Sequence, residues 1–159
     1  YLLKIAVNIL ADREDGRESV NDTYLKAWES MPPYRPEVLR LYLAKITRRT
    51  AIDIFRRKTR QKRGASQYEE SLSELSECIS GGDRTQEAVD SRLLAEAIGE
   101  WLRGLTPQQR GVFLSRYYFM DPIRDIGGYY GFSQSKVKSM LMRLRADLKD
   151  RLEKEGFAV

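Results

Sequence analysis

Apolar residues recur at helical spacing along almost the whole chain, while the alternating pattern of β-strands is nearly absent. Leu2, Ile5 and Ile9 open one such stripe, and Val137 and Leu144 belong to the last one. The pattern is broken by three prolines within residues 31–37, because proline cannot donate the backbone hydrogen bond that a helix interior requires. The sequence therefore predicts an all-α fold.

Charge is distributed in three blocks along the 159 residues, although the net charge is only +5. Residues 1–65 hold 15 basic and 8 acidic side chains, residues 66–100 hold 2 and 9, and residues 101–159 hold 11 and 6. Basic blocks favour a nucleic-acid partner, and an acidic block between them is typical of a solvated connector. Charged solvent-facing surfaces are the alternative explanation of these blocks. Sequence motifs are needed to decide between this explanation and a nucleic-acid partner.

These blocks predict two small helical domains joined by an acidic flexible linker. Residues 1–63 are predicted to form a three-helix domain, and residues 91–159 a four-helix domain. Residues 64–90 are rich in Gly, Ser and Glu, and we interpret them as the linker. Leu72, Leu75 and Ile79 predict only one or two weak helical turns inside it.

The residue types needed for several kinds of chemistry are missing. The chain has no histidine and a single cysteine, Cys78, which excludes a disulfide framework and a zinc cluster and indicates a reducing compartment, the cytoplasm. No cofactor is predicted. There is also no Gly-rich phosphate loop and no carboxylate pair in an apolar setting, so we do not expect an enzyme. No apolar stretch is long enough to cross a bilayer, and membrane insertion is not expected.

Residues 123–144 have the spacing of a helix-turn-helix. Gly127 is the small residue where two helices approach, Gly131 suits the left-handed turn, and Asp121 and Ser133 are predicted caps of the two helices. Short polar and long basic side chains at the start of the second helix suit groove reading and phosphate contact. The candidates are Ser133, Gln134, Ser135, Lys136, Lys138, Ser139 and Arg143. An ordinary helical hairpin with a basic solvated face is the alternative.

A second basic segment lies at residues 45–63, where nine Lys/Arg residues stand against Asp53 alone. Basic side chains at helical spacing could follow a phosphate backbone. Tyr34 and Tyr42 lie close by in sequence, and aromatics beside a basic groove are typical of single-strand binding. Both tyrosines could equally be packing residues.

The segment VNDTYLKAW, residues 20–28, predicts an amphipathic helix. The predicted buried face, which continues to Met31, comprises Val20, Tyr24, Ala27, Trp28 and Met31, and Asn21 and Asp22 are predicted to lie on the outer side. Nothing in this spacing specifies a partner.

Taken in order, VNDTYLKAWESMP, the basic KITRRTAIDIFRR and the terminal helix-turn-helix resemble a sigma-70 family factor of the extracytoplasmic-function (ECF) type. The resemblance covers nearly the whole chain and implies a subunit that binds core RNA polymerase, recognises the −35 and −10 promoter elements and promotes DNA melting. It also implies contacts with the β′ clamp helices and the β flap, an anti-sigma partner, and a further helix ahead of Tyr1.

Site residues follow from the resemblance by position. It implies core-polymerase binding by Asn21, Asp22, Tyr24, Leu25 and Trp28. It implies −10 DNA binding by Tyr34, Arg35, Tyr42, Lys45, Arg48, Arg49, Arg56 and Arg57. The resemblance assigns the binding of the −35 element to the helix-turn-helix candidates given above.

The alternative to a sigma factor is a stand-alone helix-turn-helix regulator whose N-terminal half dimerises or binds a ligand. Such a protein would bind palindromic DNA as a symmetric dimer without polymerase.

Overall fold

The computed structural model describes residues 1–59, 67–79 and 87–157. These residues form eight α-helices and no strand, which confirms the all-α class. The helices are α1 Leu2–Leu10, α2 Arg13–Ser30, α3 Leu39–Thr59, α4 Gln67–Ile79, α5 Glu87–Gly104, α6 Pro107–Tyr117, α7 Ile123–Tyr130 and α8 Gln134–Lys154.

The chain divides into two compact units. The N-terminal unit comprises Tyr1–Glu70 with Phe119–Asp121, and the C-terminal unit comprises Ser71–Tyr118 with Pro122–Val159. The boundary between the units falls within α4, and the predicted domains, residues 1–63 and 91–159, stay predictions. The predicted limits of the linker, residues 64–90, stay a prediction, since residues 60–66 and 80–86 lie outside the described part of the chain.

In the N-terminal unit, α1, α2 and α3 pack against one another as a three-helix bundle. Helix α1 contributes large apolar side chains, including Ile5 and Ile9, and α3 contributes small ones, including Ala44 and Ala51. The edge of the Tyr68 ring meets Phe55, with ring centroids 5.0 Å apart. Apolar burial against α1 therefore organises this unit.

Helix α2 is held by small residues. Its buried positions are Gly16, Ser19, Thr23 and Ala27, which recur every three or four residues. A Cβ atom at Gly16 would lie 2.8 Å from a methyl carbon of Val7, so only glycine permits this close approach of α1 and α2. The Oγ1 atoms of Thr23 and Thr47 are 3.1 Å apart, which joins α2 to α3 through a buried polar contact.

The predicted buried face of α2 is confirmed at Ala27 but wrong at Tyr24 and Trp28. Tyr24 and Trp28 are exposed, with 54% and 80% of their surface accessible, and Val20 is only half-buried. The small residues face the other helices instead, because they allow backbones to pack closely. The large apolar side chains consequently point to solvent.

The predicted linker contains a 13-residue helix, α4, where one or two weak turns are expected. Tyr68 and Ser71 are buried, and Leu75 packs against the core of the C-terminal unit. Contacts with other helices supply the stability that three apolar residues alone would lack.

The C-terminal unit has a core built from α5, α6, α7 and α8. Trp101, Phe113, Ile126, Leu141 and Leu148 are among its buried members. At the start of α6, Thr106 and Gln109 form a capping box, as the sequence Thr106-Pro107-Gln108-Gln109 predicts. The predicted apolar stripe of α8 is buried at Val137, Leu141, Leu144, Leu148 and Leu152.

The predictions of the caps of α7 and α8 have different outcomes. Ser133 caps α8 as predicted, accepting a hydrogen bond from the Lys136 amide at 3.2 Å. The predicted cap at Asp121 is wrong, since α7 begins after Pro122 without a side-chain cap hydrogen bond. The Asp121 carboxylate is engaged within the N-terminal unit instead, where it pairs with Lys4 at 3.2 Å.

Candidate functional site

The outward face of α2 is an exposed apolar surface. Tyr24, Leu25 and Trp28 are 54%, 57% and 80% accessible, and the exposed Asn21 lies on the same face. Asp22 is half-buried at its edge. Because α2 uses small residues for its own packing, these side chains contribute little to the bundle. A cluster of large apolar residues on the surface indicates a docking site for a partner.

A basic surface runs along α3. Lys45, Arg49 and Arg56 are exposed, and within the described part of the chain they form no hydrogen bond or ion pair. Positions 45, 49 and 56 are four and seven residues apart, so they lie on one side of the helix over roughly 17 Å. Cations without protein partners in such a row suit contact with phosphates.

Three other basic residues of α3 have different surroundings. Arg48 is half-buried and has a partner within the protein. The Arg57 Nε atom donates to the Asp53 carbonyl at 3.4 Å. The Lys58 ammonium pairs with the Asp15 carboxylate at 2.5 Å, and this hydrogen bond raises the pKa of Lys58. Arg60, Lys62 and Arg63 lie outside the described residues.

Tyr34 and Tyr42 are neighbours in space, with ring centroids 5.1 Å apart and ring planes inclined by 35°. The Tyr42 hydroxyl forms a 2.6 Å hydrogen bond with the Ser30 hydroxyl, which anchors this half-buried ring to the end of α2. Tyr34 is 54% exposed, and Arg35 beside it is also exposed. One tyrosine thus packs while the other presents its ring to solvent.

Helices α7 and α8 are joined by a tight turn. Gly131 adopts the left-handed conformation, with φ of 64°, and the Phe132 amide donates to the Gly127 carbonyl at 2.9 Å. A Cβ atom at Gly127 would lie 2.6 Å from the Phe132 carbonyl oxygen, so this glycine allows the turn to close against α7. The left-handed turn predicted at Gly131 is confirmed, whereas Gly127 makes room for the backbone of the turn rather than for the second helix.

The start of α8 is polar and accessible. Ser133, Gln134, Ser135, Lys136, Lys138 and Arg143 are exposed, and Ser139 is half-buried. The Lys136 ammonium lies 3.6 Å from the centre of the Phe132 ring. Lys138 and Arg143 form no hydrogen bond or ion pair with the part of the chain that the structure describes. An open cavity of about 680 Å³ adjoins this surface, and its lining includes Ser135, Ser139 and Arg143.

One cluster of polar residues was not predicted from the sequence. Glu74 of α4 lies against Arg116 and Tyr117 of α6 and Arg145 of α8. We call these four residues the Glu74 cluster. Burial alone would raise the pKa of Glu74, but hydrogen bonds from Arg116 and Tyr117 and the two positive charges hold it below its usual value. Burial raises the pKa of the Tyr117 hydroxyl, which stays protonated.

A second feature that the sequence did not predict is the close approach of the Tyr130 side chain to α6. A Cβ atom at Gly111 would lie 2.1 Å from the Tyr130 hydroxyl oxygen, so any larger residue would displace the Tyr130 side chain. A lone glycine in a helix, without a turn beside it, gave no sequence signal for this contact.

The described residues contain no group of His, Cys, Asp or Glu side chains arranged to hold a metal. Among the same residues, no helix is both long enough and apolar enough to span a membrane.

The described residues thus form an all-α fold that presents the exposed apolar face of α2 and basic surfaces on α3 and α8. Residues 1–61 match the family model described as Sigma-70 region 2. The match lies over α1, α2 and α3, within the N-terminal unit. No curated protein matches the chain.

Proposed function

We propose that this protein is a sigma factor that binds core RNA polymerase, recognises promoter DNA and promotes its melting for transcription initiation. One observation carries the proposal. The region that matches Sigma-70 region 2 exposes the apolar face of α2, and its α3 presents basic side chains without protein partners. An apolar docking face and a basic surface in one small unit fit a protein that bridges a large protein partner and DNA.

The α2 face is proposed as the polymerase contact. Asn21, Tyr24, Leu25 and Trp28 meet the β′ clamp helices in this proposal, with Asp22 at the rim. Large aromatic residues that become buried on binding supply most of the energy of a protein interface. The exposure of Trp28 supports this role, because it leaves nearly the whole indole to be covered by a partner.

The surface from the α2–α3 loop along α3 is proposed to hold the −10 element. Tyr34 stacks on an unpaired base in this proposal, while the Tyr42 ring supports the Tyr34 ring. Arg35, Lys45, Arg48, Arg49, Arg56 and Arg57 are the basic members of the site. Stacking on an aromatic ring stabilises single-stranded nucleic acid without requiring a particular base, by about 1–3 kcal/mol per base.

The α7–α8 pair is proposed as a helix-turn-helix that holds the −35 element as duplex. Lys138 and Arg143 contact phosphates, while Ser135 and Ser139 face the major groove. Ser133, Gln134 and Lys136 lie at the start of the helix and complete the surface. Two weak DNA contacts joined by one chain bind well only when both engage together.

The finer assignments are also proposals. They comprise the ECF type, contact of the C-terminal unit with the β flap, an anti-sigma partner and a cytoplasmic location, which the lack of histidine and the single cysteine support.

Run-off transcription tests the function. Purified chain is added to core RNA polymerase with a library of promoter templates, and core alone is the control. We expect discrete transcripts only when the chain is present, and weak DNA binding by the chain alone. A twofold dimer that binds palindromic DNA tightly and leaves polymerase unaffected would support the stand-alone regulator instead.

A further inference from the structure

The outermost side of α8 is uncharged at four positions. Successive residues of an α-helix are about 100° apart, so Ser135, Ser139, Met142 and Ala146 lie within about 60° of one another, opposite the buried stripe of the helix. Ser135, Met142 and Ala146 are exposed, and Ser139 is half-buried. We call these four residues the outer stripe of α8. A surface on which α8 lies flat meets these side chains first.

Basic residues border the outer stripe on both sides. Lys138 lies on one side of the stripe, Lys136 and Arg143 lie on the other, and all three are exposed. In duplex DNA, the phosphates line the two edges of the major groove, and the base edges lie on its floor. Cations at the two borders suit phosphate contacts, and the uncharged stripe between them suits contact with base edges.

Met142 differs from the other members of the outer stripe. It alone among the four has a long side chain, and it is 59% exposed. The core of the unit does not use it, because the apolar side of α8 is buried at Val137, Leu141 and Leu144. An unbranched thioether with three rotatable bonds adapts its shape to the surface that it contacts. Met142 is therefore the member of the stripe that reaches furthest into a groove.

An apolar side chain distinguishes bases by their apolar groups. In the major groove all four bases present hydrogen-bonding groups, and thymine alone adds a methyl group, at C5. Burying a methyl group against a thioether is favourable, whereas burying a hydrogen-bonding group there without a partner costs free energy. Methionine has no hydrogen-bond donor and is only a weak acceptor. Met142 therefore favours thymine over the other three bases.

We propose that Met142 is a specificity-determining residue, which selects thymine in duplex DNA by contact with the C5 methyl group. The proposal rests on the proposed binding of the −35 element by α8, and it adds the base that this contact selects. The −35 element of this protein consequently contains a thymine whose methyl group contributes to affinity.

Replacing thymine with deoxyuridine tests the contact. The full chain, assembled with core RNA polymerase, selects promoters from the template library, and each thymine of the selected −35 element is replaced in turn. The replacement removes one methyl group and keeps every hydrogen-bonding group of the base. We expect the affinity, measured by competition with the unmodified duplex, to fall roughly threefold to fivefold at one position, as the loss of one buried methyl contact typically gives.

Met142→Ser should remove this loss, so that thymine and deoxyuridine at that position bind equally well. Its helical content should not change, because Met142 is exposed. Lys154→Ala, at the exposed far end of the same helix, is the control and should retain the loss. The same loss at the same thymine in Met142→Ser would overturn the role of Met142. So would a selected −35 element in which no thymine shows a loss with the unsubstituted chain.

A second measurement determines the base preference itself. Promoter selection is repeated with Met142→Gln, because glutamine can form two hydrogen bonds with adenine in the major groove. We expect the preference for thymine to disappear at one position, while the preferences at the other positions stay as they are. Unchanged preferences, or a weakening spread evenly over all positions, would contradict the proposal. Failure of the unsubstituted chain with core polymerase to bind any template would instead contradict the proposed function.

Discussion

Gly127 and Gly128 are adjacent in α7, yet an added methyl group would meet different surroundings at each. At Gly127 it would lie 2.6 Å from the Phe132 carbonyl oxygen, and at Gly128 no atom lies within 4 Å. Alanine substitutions at the two positions therefore distinguish the low helix propensity of glycine from the steric need for a residue without a side chain.

We expect Gly127→Ala to lower the free energy of unfolding by about 1–3 kcal/mol, because the turn must move away from α7. Gly128→Ala should raise it by up to about 1 kcal/mol, since alanine favours the helix. Thermal and urea unfolding of both variants measure the difference. Equal destabilisation by both would contradict the close approach at Gly127.

Residue-scale chemistry is also what the sequence predicted best. The Thr106 capping box, the Ser133 cap and the left-handed Gly131 all follow from which side chains satisfy backbone groups nearby. The Asp121 cap failed because an ion pair with a residue distant in sequence, Lys4, competes for the same carboxylate. Local rules cannot detect such competition.

At the scale of single elements, α2 shows why apolar periodicity can mislead. Tyr24 and Trp28 are four residues apart and have the spacing of a buried stripe, but they are exposed. Gly16, Ser19 and Thr23 are buried and carry little hydrophobic signal. Spacing alone does not distinguish a face that packs within the chain from one that is available to a partner.

Trp28→Ser should weaken association with core polymerase by at least roughly thirtyfold, the loss typical of a central aromatic residue in an interface. The unfolding free energy should change by less than about 0.5 kcal/mol, because the side chain is exposed. Leu93→Ser, at a residue of α5 that is 51% exposed, is the control. Co-elution with polymerase on a sizing column gives the result.

A charge reversal tests the rim of the same face. Asp22→Lys should abolish core association and leave the helical content unchanged, since Asp22 is only half-buried. Undiminished co-elution of this variant with polymerase would remove Asp22 from the interface.

Lys138→Ala and Arg143→Ala should each reduce the slope of log affinity against log salt by about 0.9, because each residue is assigned one phosphate. Lys154→Ala, at the exposed far end of α8, should leave the slope unchanged. Titrations of duplex DNA at several salt concentrations measure all three. An unaltered slope for Lys138→Ala and Arg143→Ala would exclude them from the DNA contact.

At the scale of the whole molecule, the sequence predicted the helical class but not the helix α4. Its Glu74 lies in an acidic segment and resembles a solvated residue, and its partners Arg116 and Arg145 lie 42 and 71 residues away. Sequence periodicity reports which face of an element is apolar. It does not report which charged residue of a distant element will meet a buried cation.

Acid should weaken the contacts within the Glu74 cluster. The pKa of Glu74 lies below its ordinary value of 4.5, so its contribution to stability is complete above about pH 4.5 and is lost as the pH falls through the lowered pKa. Arg116, Tyr117 and Arg145 face the carboxylate and keep their protonation states in this range. We expect the difference in Tm between the unsubstituted chain and Glu74→Gln to shrink as the pH falls through the lowered pKa. A difference that grows as the pH falls below 4.5 would contradict this linkage.

The small buried residues of α2 affect how the sequence of the protein can change in evolution. Because the three-helix bundle closes on Gly16, Ser19 and Thr23, its stability is nearly independent of the side chains on the opposite face. Substitutions at Tyr24, Leu25 and Trp28 can therefore alter the choice of partner while the scaffold persists. A lineage carrying this bundle is free to diversify its recognition without first acquiring compensating changes in its interior.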